Sequence, residues 1–257
     1  MHKYLWLSVI LFIGISAIAQ TSQTTYKLSK KILFVVSNAH FYGSSDIATS
    51  NHFSEIVLPY SEFIKAGYEI DFVSPEGGRV PVGYIYNTSG VIEEYLYDNV
   101  FMDKLENTLS PNLVDQDAYC AIFYVGGGAI MFEVPSDKRI QNIAMHIYEK
   151  NNGVVASICH GTAGIVHLKK ANGEYLVSGK DINGFPDKFE NKEKEYYKNF
   201  PFSIQNTIEK HGGQFKYSEE GWDGYFEVDG RVITGQDPSS GREMAKSIIA
   251  ELERSQK

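Results

Sequence analysis

The strongest constraint on this chain is a repeated pattern of short, unbroken apolar runs, each closed by glycine, serine or proline and followed by a stretch with helical spacing. Residues 31–37 (KILFVVS), 118–125 (AYCAIFYV) and 153–159 (GVVASIC) are such runs, and residues 69–73 (EIDFV), closed by Ser74-Pro75, read as a further strand. A strand that is apolar without alternation is covered on both faces, as in a parallel sheet flanked by helices. Between the first two runs, residues 52–66 (HFSEIVLPYSEFIKA) place Phe53, Ile56, Val57, Tyr60 and Phe63 on one helical face. Pro59 predicts a kink or restart there, and Gly67 a stop. Helices are also expected at 136–151, capped by Ser136, at 162–169, 188–197 and 201–211, and at 238–252 with Asp237 as cap and Pro238 at the first helical position. Shorter strands are expected at 175–177, 181–182, 214–217, 225–228 and 231–234. Alternation of strand and helix throughout makes this an α/β chain, a three-layer sandwich around a mainly parallel central sheet. No repeat or linker interrupts residues 31–257, which read as a single domain. The aromatic-rich stretch 84–117 reads as an excursion that partly covers the end of the sheet.

The N-terminus has a different character. A basic start, Met1-His2-Lys3, precedes an apolar run over 5–18, and Ala17-Ile18-Ala19 offers the small residues that a signal peptidase reads. Residues 1–19 are therefore expected to be a cleavable signal peptide, Gln20 the first mature residue, and 20–30 a short polar tether. The apolar run is shorter than the roughly 20 residues that span a bilayer, so no stable membrane anchor is expected after cleavage. That places the mature protein outside the cytoplasm, secreted or periplasmic, where disulfides form. The two cysteines, Cys120 and Cys159, are nevertheless not expected to pair. On adjacent parallel strands they fall at opposite ends, roughly 15 Å apart at about 3.3 Å per residue, whereas a disulfide needs Cα atoms within about 7 Å. The formal net charge of -8 leaves no basic surplus for phosphates, so nucleic acid is not an expected partner.

In open α/β sheets the chemistry gathers outside the carboxyl ends of the strands. Cys159-His160-Gly161 lies there, between the strand at 153–159 and the helix expected at 162–169. So abrupt a turn strains its central residue and exposes its side chain. Gly161 permits close approach of the backbone, and a helix N-terminus just downstream favours thiolate. Gly126-Gly127-Gly128 ends the preceding strand, and its backbone is free to face a developing oxyanion. Two carboxylates, Glu55 in the first helix and Glu190 after Gly184-Phe185-Pro186, complete the candidate set, although nothing in their spacing brings them to Cys159. His40, His52, His146, His167 and His211 show no ligand spacing, so no metal site is expected. Trp222-Asp223-Gly224-Tyr225 reads as core packing, with lining of the pocket as the alternative.

Taken in order, ILFVVSN, SEIVLPYSEFIKAGYEIDFVSPEGG, DAYCAIFYVGGGAIMFEVP, NGVVASICHGTAGI, LVSGKDINGFPDKFE and YFEVDGRVITGQDPSSG resemble the ThiJ/PfpI superfamily of the class I glutamine amidotransferase-like fold, within it the heat-shock chaperone/glyoxalase III branch. The resemblance implies a flavodoxin-like arrangement. It assigns Cys159 as nucleophile, His160 as its neighbouring histidine, Glu55 as the helix carboxyl beside the thiol, Glu190 as the carboxylate against the histidine, and Gly127 and Gly128 as part of the oxyanion pocket. Glu55 is then expected to be neutral while Cys159 is ionised, because two adjacent charges repel. Relatives in this branch often carry Gly-His-Gly after the third strand, where this chain has the run Gly126-Gly127-Gly128-Ala129, so a second pocket histidine is expected to be missing. The implied activity is a glutathione-independent glyoxalase that needs no cofactor, acts on a small reactive carbonyl substrate such as methylglyoxal, and allows a homodimer. A cysteine hydrolase (peptidase, amidase or protein deglycase) and a non-catalytic stress chaperone or redox sensor are the alternatives.

Overall fold

The computed structural model describes residues 29–86 and 88–254. The expected signal peptide and most of the tether lie outside the described residues. The chain enters with strand β1 (Lys31–Val35), then a two-residue strand β2 (Asn51–His52) that runs directly into helix α1 (Phe53–Lys65). Strand β3 (Glu69–Val73) follows, and then β4 (Val82–Gly83), which pairs with β2. Two short helices, α2 (Val91–Leu96) and α3 (Asn99–Glu106), precede β5 (Ala121–Tyr124), α4 (Lys138–Glu149) and β6 (Val154–Ile158). After β7 (Asp181–Ile182) come α5 (Glu195–Lys198), α6 (Ile204–Lys210) and β8 (Gln214–Phe215). The hairpin β9 (Phe226–Asp229) and β10 (Val232–Gly235) leads into the closing helix α7 (Gly241–Arg254).

The central sheet has the order β3-β1-β5-β6-β10-β9, parallel except for the edge strand β9. Because side chains alternate across a strand, β1 sends Ile32 and Phe34 to one face and Leu33 and Val35 to the other. The first face is covered by α1, α7 and the α2–α3 pair, the second by α4 and α6. This is the expected three-layer, flavodoxin-like sandwich. Phe34 sits at its centre, fully buried and stacked on Phe123 at 4.7 Å. Burying one such ring stabilises the fold by about 2–3 kcal/mol.

Several local expectations are corrected. Helix α1 passes through Pro59 without a break and ends before Gly67 at φ +79°. Asp137, not Ser136, caps α4, since its carboxylate accepts from the backbone N–H groups of Arg139 and Ile140. The α-helix expected at 162–169 does not form. The chain makes a 3-10 turn over Cys159–Gly164 instead, because Gly161 and Gly164 press against Tyr124 where a Cβ would collide and glycine is a poor helix former. Residues 175–177 form only an isolated bridge from Tyr175 to Lys169, and the helix expected at 188–197 shrinks to α5. Of the excursion, α2 and α3 pack on α1 and on the β3 edge, while its first residues, Tyr84 and Tyr86, reach the end of the sheet. Both cysteines are free. No helix among the described residues is long and apolar enough to cross a membrane.

Candidate active site

Strand β6 ends at Ile158, and the next residue, Cys159, adopts φ +56°. A non-glycine residue in that region is unusual and is held there by its surroundings. The turn points the thiol into a cavity of about 520 Å³ at the carboxyl ends of β5 and β6. The Cys159 Sγ lies 3.3 Å from His160 Nδ1, and His160 Nε2 lies 2.7 Å from Glu190 Oε1. The imidazole is stacked on Phe185 and flanked by Phe200, so its ring plane is fixed. Glu190 is held in turn by the Tyr196 hydroxyl, which donates to Oε2 at 3.1 Å. Its loop is tied to the nucleophile, because the Phe185 backbone N–H donates to the Cys159 carbonyl at 3.2 Å. Cys159, His160 and Glu190 therefore form a continuous thiol–imidazole–carboxyl chain of contacts.

Glu55 approaches from the first turn of α1 and is fully buried. It lies against the thiol and the Gly126 backbone N–H without meeting the geometry of a hydrogen bond to either. This approach depends on glycine at 126. A Cβ there would collide with the Glu55 carboxyl and stand 2.9 Å from the Cys159 Cβ. Gly127 and Gly128 line the same cavity. A Cβ on Gly127 would lie 2.7 Å from the His52 nitrogen, and one on Gly128 2.5 Å from the Tyr42 hydroxyl. Glycine is thus required at all three positions by packing alone.

Burial pushes the Glu55 carboxyl well above the usual carboxylate range, which favours its protonated form. The Cys159 thiol is pushed up as well, first by burial and then by the neighbouring Glu55 carboxyl, with the His160 backbone N–H acting the other way. This direction runs against the expected ionised thiol. No α-helix stands behind the sulfur, and burial beside the Glu55 carboxyl favours the thiol over the thiolate.

The structure also supplies a second pocket histidine, contrary to expectation, from a different part of the chain. His52, at the entry to α1, stacks on Tyr84 with ring centroids 5.0 Å apart. Burial, and then the neighbouring His160, lower its pKa to about 4, so it is neutral. Its position three residues ahead of Glu55, at the helix start that faces the same strand ends, was the available signal. Tyr42 and Tyr84 share a hydroxyl–hydroxyl hydrogen bond of 2.8 Å beside it. Trp222, read from sequence as core, is 61% exposed and forms part of the cavity wall. No cluster of three or more metal-ligating side chains occurs among the described residues.

The profile of the DJ-1/PfpI family matches residues 47–251. Glyoxalase 3 of Candida albicans is 30% identical over 238 residues, covering 87% of this chain and 98% of that protein. The solved structure of glyoxalase III from the same organism has a TM-score of 0.77 at 30% identity, covering 86% of this chain and 96% of its own. The glutathione-independent glyoxalase HSP31 of Saccharomyces cerevisiae is also 30% identical, over 87% of this chain and 98% of that protein. The structure of Rapid Encystment Protein 24 kDa from Francisella tularensis gives a TM-score of 0.80 at 29% identity, covering 86% of this chain and 98% of its own. With a six-stranded sheet, a left-handed cysteine at the end of β6 and a family profile spanning most of its length, this chain belongs to the DJ-1/PfpI family.

Proposed function

We propose that the chain is a glutathione-independent glyoxalase, converting 2-oxoaldehydes of the methylglyoxal type to 2-hydroxy acids. The observation that carries this is the chain of contacts from Sγ to His160 Nδ1 at 3.3 Å and from His160 Nε2 to Glu190 at 2.7 Å, with a buried carboxyl, Glu55, on the other side of the sulfur. The relatives from Candida albicans and Saccharomyces cerevisiae, both named glyoxalases, support the same reading.

As Sγ adds to the aldehyde carbon, His160 takes the thiol proton and returns it to the new alkoxide, which leaves a hemithioacetal. Glu190 stabilises the transient imidazolium and holds the ring in place. Neutral again, His160 removes the hydrogen from the former aldehyde carbon while Glu55 protonates the adjacent carbonyl oxygen, giving an enediol. His160 then delivers its proton to the second carbon, and Glu55 recovers one from the first hydroxyl. The resulting thioester is hydrolysed by water, which frees the thiol and a hydroxy acid, D-lactate from methylglyoxal. One carbon is oxidised and its neighbour reduced, so the reaction needs no external oxidant or reductant. The backbone at Gly127 and Gly128 faces the oxyanions that arise along the way.

The expected N-terminal leader supports action outside the cytoplasm. Mass analysis of the exported protein should find Gln20 at its N-terminus, and retention of residues 1–19 would refute export by cleavage. The same Cys–His–Glu chain suits acyl transfer, so turnover of a peptide or amide without methylglyoxal turnover would move the assignment to a cysteine hydrolase. Tyr97, Val100 and Leu113, exposed on the 84–117 excursion, favour a holding-chaperone role beside the chemistry, which the Cys159→Ser protein would retain in a client-aggregation assay. The direct test follows D-lactate from methylglyoxal with the full chain and with Cys159→Ser. Formation by the first and none by the second is expected, and turnover retained in the variant would sink the mechanism.

A further inference from the structure

The cavity is large for its presumed substrate. At about 520 Å³ it falls in the range of roughly 300–1,000 Å³ that holds drug-sized ligands, whereas an aldehyde bearing one methyl group needs on the order of 100 Å³. The polar groups are concentrated around the sulfur, and the remaining wall is aromatic. Phe185, Phe189 and Trp222 form one group, with Trp222 ring centroids 6.1 Å from each phenylalanine. His52, Tyr84 and Tyr86 form another.

Backbone strain marks the same surface. Among the described residues four non-glycine positions have positive φ, and three of them, Tyr84 (+56°), Cys159 (+56°) and Trp222 (+50°), line this cavity. The fourth, Asn152, belongs to a residue type that tolerates the left-handed region. Bulky aromatics do not, so each must be held in place. Tyr84 is held by its hydroxyl on Tyr42, and Trp222 by its backbone N–H, which donates at 2.8 Å to the fully buried Asp237. For Trp222 the strain does nothing for the core, because the indole is 61% exposed. It keeps a large flat ring at the cavity wall.

We propose that the site is built for 2-oxoaldehydes carrying an aromatic group, with that ring against Trp222 and Phe189 and the dicarbonyl reaching Cys159. The inference rests on the glyoxalase reading and narrows its substrate class. The chemistry is unchanged: phenylglyoxal plus water gives mandelate, with the aldehyde carbon oxidised and the ketone carbon reduced.

The test compares kcat/KM for phenylglyoxal and methylglyoxal in the full chain and in Trp222→Ala. The expected result is a preference for phenylglyoxal of about tenfold or more, collapsing several-fold in the variant, as loss of ring packing on an aromatic anchor implies. A second measurement is independent of turnover. Only Trp6 and Trp222 are indoles in this chain, so in full-length Trp6→Phe the remaining emission reports the cavity, and mandelate should quench it saturably. Methylglyoxal turnover without preference for phenylglyoxal, or a preference unmoved by Trp222→Ala, or no quenching, would overturn the aromatic inference and leave the glyoxalase reading standing. Turnover of neither aldehyde would overturn both.

Discussion

Cys120 precedes β5 and Cys159 follows β6, so two buried thiols stand at opposite ends of neighbouring parallel strands. Burial pushes both up, Cys120 to about 12 and Cys159 also well above its ordinary value. Their surroundings separate them. The Cys120 thiol donates to the Lys31 carbonyl at 3.2 Å and sits among apolar side chains. Cys159 has an imidazole at 3.3 Å, a carboxylate behind the imidazole, a second carboxyl on its other side, and a left-handed backbone that turns it toward a cavity. Burial alone makes a thiol inert. What distinguishes the carboxyl end of the sheet is a partner able to take the proton at the moment of attack.

The largest expected effect is on the two sulfurs themselves. Cys159→Ser should lower kcat/KM for 2-oxoaldehydes by about 10⁴-fold or more, as loss of a catalytic nucleophile does, while Cys120→Ser should leave it within about twofold. Comparable losses in both variants, measured as hydroxy-acid formation, would erase the distinction. Next comes Glu190→Gln, which keeps an acceptor for His160 but removes the charge that steadies the imidazolium. A fall in kcat of about 10²–10⁴-fold is expected, with KM little changed. A loss confined to KM would show that Glu190 serves binding instead.

A pair of glycines offers a smaller and sharper comparison, because each packs against one of the two cysteine residues. A Cβ at Gly126 would displace Glu55, and one at Gly153 would lie 2.5 Å from the Cys120 carbonyl oxygen. Each alanine variant should cost about 1–3 kcal/mol of stability by denaturant unfolding. Only Gly126→Ala should also lose activity, by about tenfold or more. Equal activity in the two would mean that the position of Glu55 is unimportant. The smallest effect is on titration. Charge on the Glu55 carboxyl opposes ionisation of Cys159, so Glu55→Gln should move the alkylation midpoint of Cys159 to lower pH and leave that of Cys120 where it is. An unmoved Cys159 midpoint would break the proposed coupling.

The sheet was legible because β1, β5 and β6 are continuous apolar runs of the kind that doubly covered strands require, and the ends of β5 and β6 placed Cys159-His160-Gly161 and the three glycines together. Glu55 and Glu190 were reachable through family resemblance, since neither spacing nor periodicity relates positions 55, 159 and 190. His52 was passed over because it was weighed only as a metal ligand. For Trp222 the pocket-lining alternative holds over core packing, the default for an aromatic residue, and its exposure follows from a backbone conformation that side-chain type does not announce. The missing α-helix after Cys159 had a visible cause in Gly161 and Gly164, whose closeness to Tyr124 emerges only once the strands are side by side.

The left-handed conformation of Cys159 also says something about descent. Glycine and asparagine occupy that region at far lower cost than cysteine does, so the fold by itself exerts a steady pressure away from sulfur at position 159. A relative in which the chemistry no longer matters is free to relax there. Glycine or asparagine at this one place, in a chain that keeps the surrounding glycines, would therefore be the mark of a lineage that has retained the architecture and abandoned the reaction.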